Sequence, residues 1–125
     1  MKKLRVCFDI DGTLCNSTMG RYYEAKPYPE MIKYVNELHE LGHYIIIFTA
    51  RGMGKNDSVA GKAFTNLYRL TQDQLDGWGL KYDELILGKP HVDIFVDDKG
   101  FQVKSDGSSI NALRDFVDGL INKSV

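Results

Sequence analysis

Two carboxylates one residue apart, Asp9 and Asp11, stand where an apolar run ends, in Val6-Cys7-Phe8-Asp9-Ile10-Asp11-Gly12-Thr13-Leu14. Carboxylates are rarely buried without a partner or a metal. Two that share one spot raise the cost of ionising both, and a divalent cation removes that conflict. A second acidic pair, Asp97-Asp98, closes another apolar run, Ile94-Phe95-Val96. Thr49 closes a third, Tyr44-Ile45-Ile46-Ile47-Phe48, and Ala50-Arg51-Gly52 follows it. Three apolar runs thus each stop at a polar residue of catalytic type.

The elements that must position these residues follow from periodicity. Residues 4–10 read as a strand. Residues 14–28 are irregular, a short loop or small hairpin beside the first carboxylates. Pro27 and Pro29 bracket a helix start, with Pro29 in the first turn where proline is tolerated. Met31, Ile32, Val35, Leu38 and Leu41 recur at helical spacing, and Gly42 closes that helix. The unbroken run 44–48 suits a parallel strand covered on both faces. Residues 52–61 form a loop with Lys55, Asn56 and Asp57. Helical spacing resumes by Ala63 with Phe64, Leu67, Leu70, Leu75 and Trp78, and Gly77 and Gly79 end it. Residues 85–87 and 94–96 read as strands, and 101–103 as a brief one. A last helix spans 111–121. Strands alternating with helices predict an α/β fold with a mainly parallel sheet. In such a sheet the carboxyl ends of the strands share one edge, where ligands bind. Asp9, Thr49 and Asp97 are therefore expected to converge.

The bounds agree with an ordinary globular protein. A chain of 125 residues makes one domain with a single core, and 43% hydrophobic with 26% charged residues is unexceptional. The net charge of -1 builds in no attraction to nucleic acid. Cys7 and Cys15 are expected to be reduced thiols. Asp9 and Asp11 interrupt the apolar run before it could serve as a signal peptide. No run approaches the ~20 residues of a membrane span, so a cytoplasmic protein without a membrane partner is expected. His39, His43 and His91 share no pattern and read as surface or packing residues. Trp78 and Tyr82 read as closing an edge of the core.

The string Asp9-Ile10-Asp11-Gly12-Thr13, with Thr49 and Asp97-Asp98, resembles the signatures of the haloacid dehalogenase superfamily of phosphohydrolases, along nearly the whole chain. The resemblance implies a three-layer Rossmann-like core and a Mg²⁺-dependent phosphatase working through an aspartyl-phosphate. It implies Asp9 as nucleophile and Asp11 as the acid that protonates the leaving oxygen and then activates water. Thr49 would hydrogen-bond the phosphoryl group. Asp97, with Asp98 as a second ligand or as a solvated acid capping the next turn, would hold the metal beside Asp9 and the main-chain carbonyl of Asp11. The physics is consistent with this. Mg²⁺ prefers hard oxygen ligands and relieves the repulsion between a carboxylate and a phosphate. Gly12 allows backbone N–H groups to approach phosphoryl oxygens. Gly12, Thr13, Ala50 and Arg51 are the expected substrate contacts, although Arg51 could equally serve in an ion pair.

The family's third signature needs a lysine, and Lys89 in Gly88-Lys89-Pro90 is the natural candidate. It lies only eight residues before Asp97. At ~3.3 Å per strand residue, an extended connection leaves it at the wrong end of the sheet, so the chain must double back near Pro90-His91. Arg51, Lys55 or Lys62 are the substitutes. Neither residues 14–43 nor 50–84 have room for a cap domain, so the chain resembles capless members, and among them small phosphatases of sugar and capsule biosynthesis. Their open sites imply a bulky substrate or a neighbouring subunit that walls the site, hence a homo-oligomer. A phosphorylated sugar is the expected substrate. A polynucleotide end phosphatase and a non-catalytic module reusing the fold are the alternatives. Specificity would lie in residues 21–26 and 52–61.

Overall fold

Residues 2–54 and 60–123 are described by a computed structural model. In chain order it contains β1 (Arg5–Phe8), a single 3₁₀ turn (Tyr22–Glu24), α1 (Pro29–Glu40), β2 (Tyr44–Thr49), α2 (Ala60–Gly77), β3 (Glu84–Leu87) and α3 (Ile110–Ile121). The strands form one parallel sheet in the order β1-β2-β3. Phe8 lies opposite Ile47, and Thr49 opposite Leu87, so all three strands end near one edge. The α/β class with a parallel sheet is therefore observed.

The local chemistry explains the elements. Pro29 sits in the first turn of α1, where its missing N–H costs nothing. Met31, Ile32, Tyr34, Val35 and Leu38 form its buried stripe. At its end Gly42 N–H donates to the His39 carbonyl and His43 N–H to the Leu38 carbonyl, a double cap that turns the chain into β2. The alternation of β2 buries Ile45, Ile47 and Thr49, on the side that also carries Phe8 and Leu85. The opposite side is open: Ile86 and Tyr44 are 40% and 38% exposed, and Cys7 is exposed too. Burial of one side is what two right-handed crossovers in the same direction produce, because both α1 and α2 then lie on that side. α3 buries Leu113 and Val117, and its Arg114 donates to Glu37 of α1 at 2.9 Å while lying over the Tyr34 ring. Trp78 and Tyr82 are half-buried at the edge of the core, as their positions predicted.

Two strand expectations do not hold. Residues 94–96 are in no strand, and neither are 101–103. Phe101 instead packs on Phe116 of α3, with ring centroids 5.1 Å apart. The loop residues Lys55, Asn56 and Asp57 lie outside the described residues, and so do the side chains of Lys62 and Phe64.

His43 gives a pH test of this core. It is 2% exposed, and its Nδ1 accepts the Leu4 N–H at 3.0 Å, tying the start of β1 to the end of α1. Burial, and then the nearby Lys3 ammonium, hold its pKa below the ordinary 6.5. Below that value the unfolded chain therefore binds a proton that the folded chain resists. This contribution to stability is full above pH 6.5 and is lost as the pH falls towards the folded pKa. The urea midpoint is expected to drop between pH 7 and 5.5, and His43→Asn to flatten that slope. An equal slope in both proteins would remove His43 as the source.

Candidate active site

Asp9 follows the last residue of β1, and the loop after it is held at both ends by the core. Ile10 and Leu14 are each fully buried. Between them, Thr13 and Leu14 N–H donate to the Ile10 carbonyl at 3.0 and 2.8 Å, and Gly12 N–H donates to the Cys15 carbonyl at 2.9 Å. Gly12 has φ +83°, a conformation that side chains resist. The nearest atom to a Cβ placed there is Ser105 Cβ at 3.6 Å, so the backbone angle and not crowding selects glycine. The Gly12 and Thr13 N–H groups are used inside the turn. This corrects the expectation that they face a phosphoryl oxygen; Gly12 shapes the loop.

Lys89 reaches the same edge. Its N–H donates to the Thr49 carbonyl at 3.1 Å, and its ammonium lies 3.9 Å from Asp9 Oδ1. The short spacing to Asp97 therefore does not keep Lys89 from this edge; it is Asp97 that is left away from it. β3 runs parallel to β1, Lys89 is two residues past its end, and Gly88 makes the turn. Burial pushes the Asp9 carboxyl above its ordinary range, and Asp11 adds to this. Lys89, the Ile10 N–H and Arg51 oppose the shift.

Arg51 is the most buried charge of the site, its side chain fully enclosed. Its Nε and Nη2 donate to Asp11 Oδ2 and Oδ1 at 2.9 and 3.0 Å, a two-pronged pair. Nη1 donates to Thr71 Oγ1 at 3.3 Å, and the guanidinium lies 4.9 Å from the centre of the Tyr22 ring. Of the two roles open to Arg51, the structure shows the ion pair. Its N–H also donates to Thr49 Oγ1 at 3.1 Å, and a hydroxyl that accepts one bond keeps a proton it can donate. Ala50, between them, is half-buried.

Sequence reasoning missed the supports of this arginine. Tyr22 accepts the Gly52 N–H at 3.1 Å through its hydroxyl, and Gln74 donates to the Tyr22 carbonyl at 2.9 Å. Thr71 and Gln74 are polar residues at i+3 spacing beside the buried Leu75 on an amphipathic helix, which was the available signal. Cys15 was read as a plain thiol. Burial, with Asp11 alongside, pushes it up to about 12, which disfavours the thiolate.

Asp97 and Asp98 are not brought to this edge. Every residue from His91 to Gly100 is exposed. Asp97 Oδ1 accepts the Lys99 and Gly100 N–H groups at 2.8 and 2.6 Å, and these bonds hold its carboxyl below the ordinary range. Asp98 lies 3.6 Å from the Lys99 ammonium, out in solvent. The turn-capping role weighed for Asp98 belongs to Asp97. Among the described residues no three His, Cys, Asp or Glu side chains gather to hold a metal ion. Asp9 and Asp11 are what one chain offers Mg²⁺ here, and both oxygens of Asp11 are engaged by Arg51. The expected set, Asp97 with or without Asp98 beside Asp9 and the Asp11 main-chain carbonyl, is thus not gathered among the described residues of one chain. A surface recess of about 540 Å³, lined by Pro29, Ile32, Asn36 and Trp78 among others, runs along α1 and includes none of these residues.

The parallel α/β core thus gathers a carboxylate, a threonine and a lysine at the carboxyl edge of its sheet. A family model described as haloacid dehalogenase-like hydrolase matches residues 6–67, which contain Asp9, Asp11, Thr49 and Arg51. This match and the fold together support membership of the haloacid dehalogenase superfamily. It is also similar to a crystal structure of a structural-genomics target from Vibrio cholerae, with 28% identity and a TM-score of 0.73, over 93% of this chain and 99% of that one. None of the curated proteins matches. Among the described residues no helix is long and apolar enough to cross a membrane.

Proposed function

We propose that this hydrolase is a phosphomonoesterase, Mg²⁺-dependent and acting on a small phosphorylated metabolite such as a sugar phosphate, through an aspartyl-phosphate. The observation that supports it most is the meeting of Asp9, Lys89 and Thr49 at the ends of three strands, with Asp11 beside them. Asp9 Oδ1 would attack phosphorus, forming the acyl-phosphate bond as the bond to the leaving oxygen breaks. The Lys89 ammonium offsets the charge that repels a phosphate dianion. The Thr49 hydroxyl would donate its proton to a phosphoryl oxygen. Asp11 would give its proton to the leaving oxygen and later take one from water. Both Asp11 oxygens accept from Arg51, so for that one of them must turn from Arg51, take up a proton from solvent and face the leaving oxygen.

The test is phosphate release from a panel of sugar phosphates, p-nitrophenyl phosphate and 3′-phosphorylated oligonucleotides, with Mg²⁺ and with chelator. Turnover of sugar phosphates that chelator removes is expected. Release from oligonucleotides alone would favour the polynucleotide reading, and no release from any substrate would leave a binding module.

A further inference from the structure

The chain carries a strand without a sheet and a sheet edge without a strand. Val92-Asp93-Ile94-Phe95-Val96-Asp97 is rich in β-branched and aromatic residues, a composition that fits a pleated, half-buried surface. Yet Ile94 is 74% and Val96 88% exposed. β1 is an edge strand, paired only with β2 among the described residues, and Asp9 sits at its end. Such an edge is a template for another strand.

The segment cannot reach that edge within its own chain. Lys89 is held at the carboxyl edge by Thr49 and Asp9. A strand parallel to β1 on its free side must start at the opposite end of the sheet. That point is ~13 Å back along four strand residues and ~14 Å across three strand spacings. Pro90 and His91 alone connect Lys89 to Val92, whereas parallel strands need a crossover of about a dozen residues or more. A hairpin back along β3 would carry Asp97 to the wrong end.

We infer that two copies exchange this segment. In a homodimer, residues 92–97 of each chain add as a parallel strand to the free edge of the other chain's β1, which carries Asp97 and Asp98 to the Asp9 edge across the subunit boundary. The side-chain alternation fits one register. With Val96 opposite Phe8 and Ile94 opposite Val6, the two aliphatic residues extend the buried side of the sheet. Phe95 then falls on the open side beside Cys7, and Asp97 falls beside Asp9. A reciprocal exchange closes with two-fold symmetry. The exchanged carboxylates complete the oxygen set that one chain lacks. Their metal role rests on the phosphatase reading; the strand exchange does not.

The two parts are tested separately. Light scattering of the full chain is expected to give a dimer of about 28 kDa, twice 14.2 kDa. Phe95→Cys is expected to form a covalent dimer with the native Cys7 on mild oxidation, seen on a non-reducing gel and absent when Cys7→Ser is added. A monomer at micromolar concentration, or a cross-link confined within one chain, overturns the exchange whatever the enzyme does. Activity supplies the second arm. Asp9→Asn and Asp97→Asn chains, each inactive alone, are refolded together at equal amounts. Half of the dimers are then mixed, each with one intact site, so about one quarter of wild-type specific activity is expected. No recovery in a sample whose light scattering and mass spectrum show mixed dimers overturns the shared site. Covalent dimers from a protein that hydrolyses no phosphate ester would leave the exchange standing and remove the phosphatase reading.

Discussion

Asp9→Asn is expected to abolish turnover of every phosphate ester, while Asp11→Asn is expected to lose rate according to the leaving group. An amide in place of the Asp9 carboxylate removes the proposed nucleophile; of the two cysteines nearby, Cys15 is buried and pushed up to about 12, and burial also raises the Cys7 thiol. Asp11 acts, in the proposed role, on the leaving oxygen. A sugar alkoxide needs a proton as its bond breaks, and p-nitrophenolate needs far less help. General acid catalysis is worth about 10²–10⁴-fold. The first-step loss in Asp11→Asn should therefore approach that range on an alkyl phosphate and be much smaller on p-nitrophenyl phosphate. The aspartyl-phosphate should also persist, because the same residue activates water in the second step. Rapid quench separates the steps. Equal first-step losses on both substrates would reduce Asp11 to the partner of Arg51, the one role its hydrogen bonds already show.

Removing Arg51 is expected to be the most destabilising single change at this edge. Its side chain is fully enclosed, while Asp11 keeps 22% of its exposure. Deleting one partner of a buried pair costs about 3–5 kcal/mol, because the other charge is left unpaired. The exposed fraction of Asp11 lets water recover part of that, so Arg51→Ala should cost about 3 kcal/mol, the low end of the same range. For a domain of this size that is a Tm loss of roughly 10 °C. Arg51→Lys keeps the charge but not the two-pronged geometry or the ring contact with Tyr22, and should fall between. Urea denaturation reads both. A lower midpoint at unchanged slope is the expected pattern. An Arg51→Ala protein within about 0.5 kcal/mol of wild type, the range of an ordinary surface change, would show that the pair does not hold the loop.

Much of the local architecture was legible along the chain. The helix over Pro29–Glu40 was announced by a proline in its first turn, five apolar residues at helical spacing and a closing glycine, and each of these acts within a few residues of its neighbours. The run 44–48 became β2, one residue longer. The apolar run 94–96 misled for a physical reason. A strand needs an edge to pair with, and pairing depends on what the connection before it can span. Val92 follows the held Lys89 by three residues, so no edge in the same chain is within reach for a parallel strand. The composition of a segment says that it can pair, not with whom.

The candidate site divides in the same way. The places of Asp9 and Thr49 were carried by the sequence itself, because each follows or ends an apolar run and a parallel sheet collects such ends at one edge. Asp97, expected with them, stays exposed, and Lys89, suggested by the family resemblance and placed at the wrong end by an extended connection, lies beside Asp9. What Arg51 does was open, because a guanidinium two residues after Thr49 could face a phosphate or a carboxylate. Only the packing of Tyr22, Thr71 and Asp11 around it, from three separate parts of the chain, decided for the carboxylate. Likewise the N–H groups of Gly12 and Thr13 looked available from the sequence, and the tight turn between buried Ile10 and Leu14 uses them. Local order is set by interactions between near neighbours, which a sequence displays directly. Which donor meets which acceptor across 20 to 40 residues is set by how the core closes, and that is settled only in three dimensions.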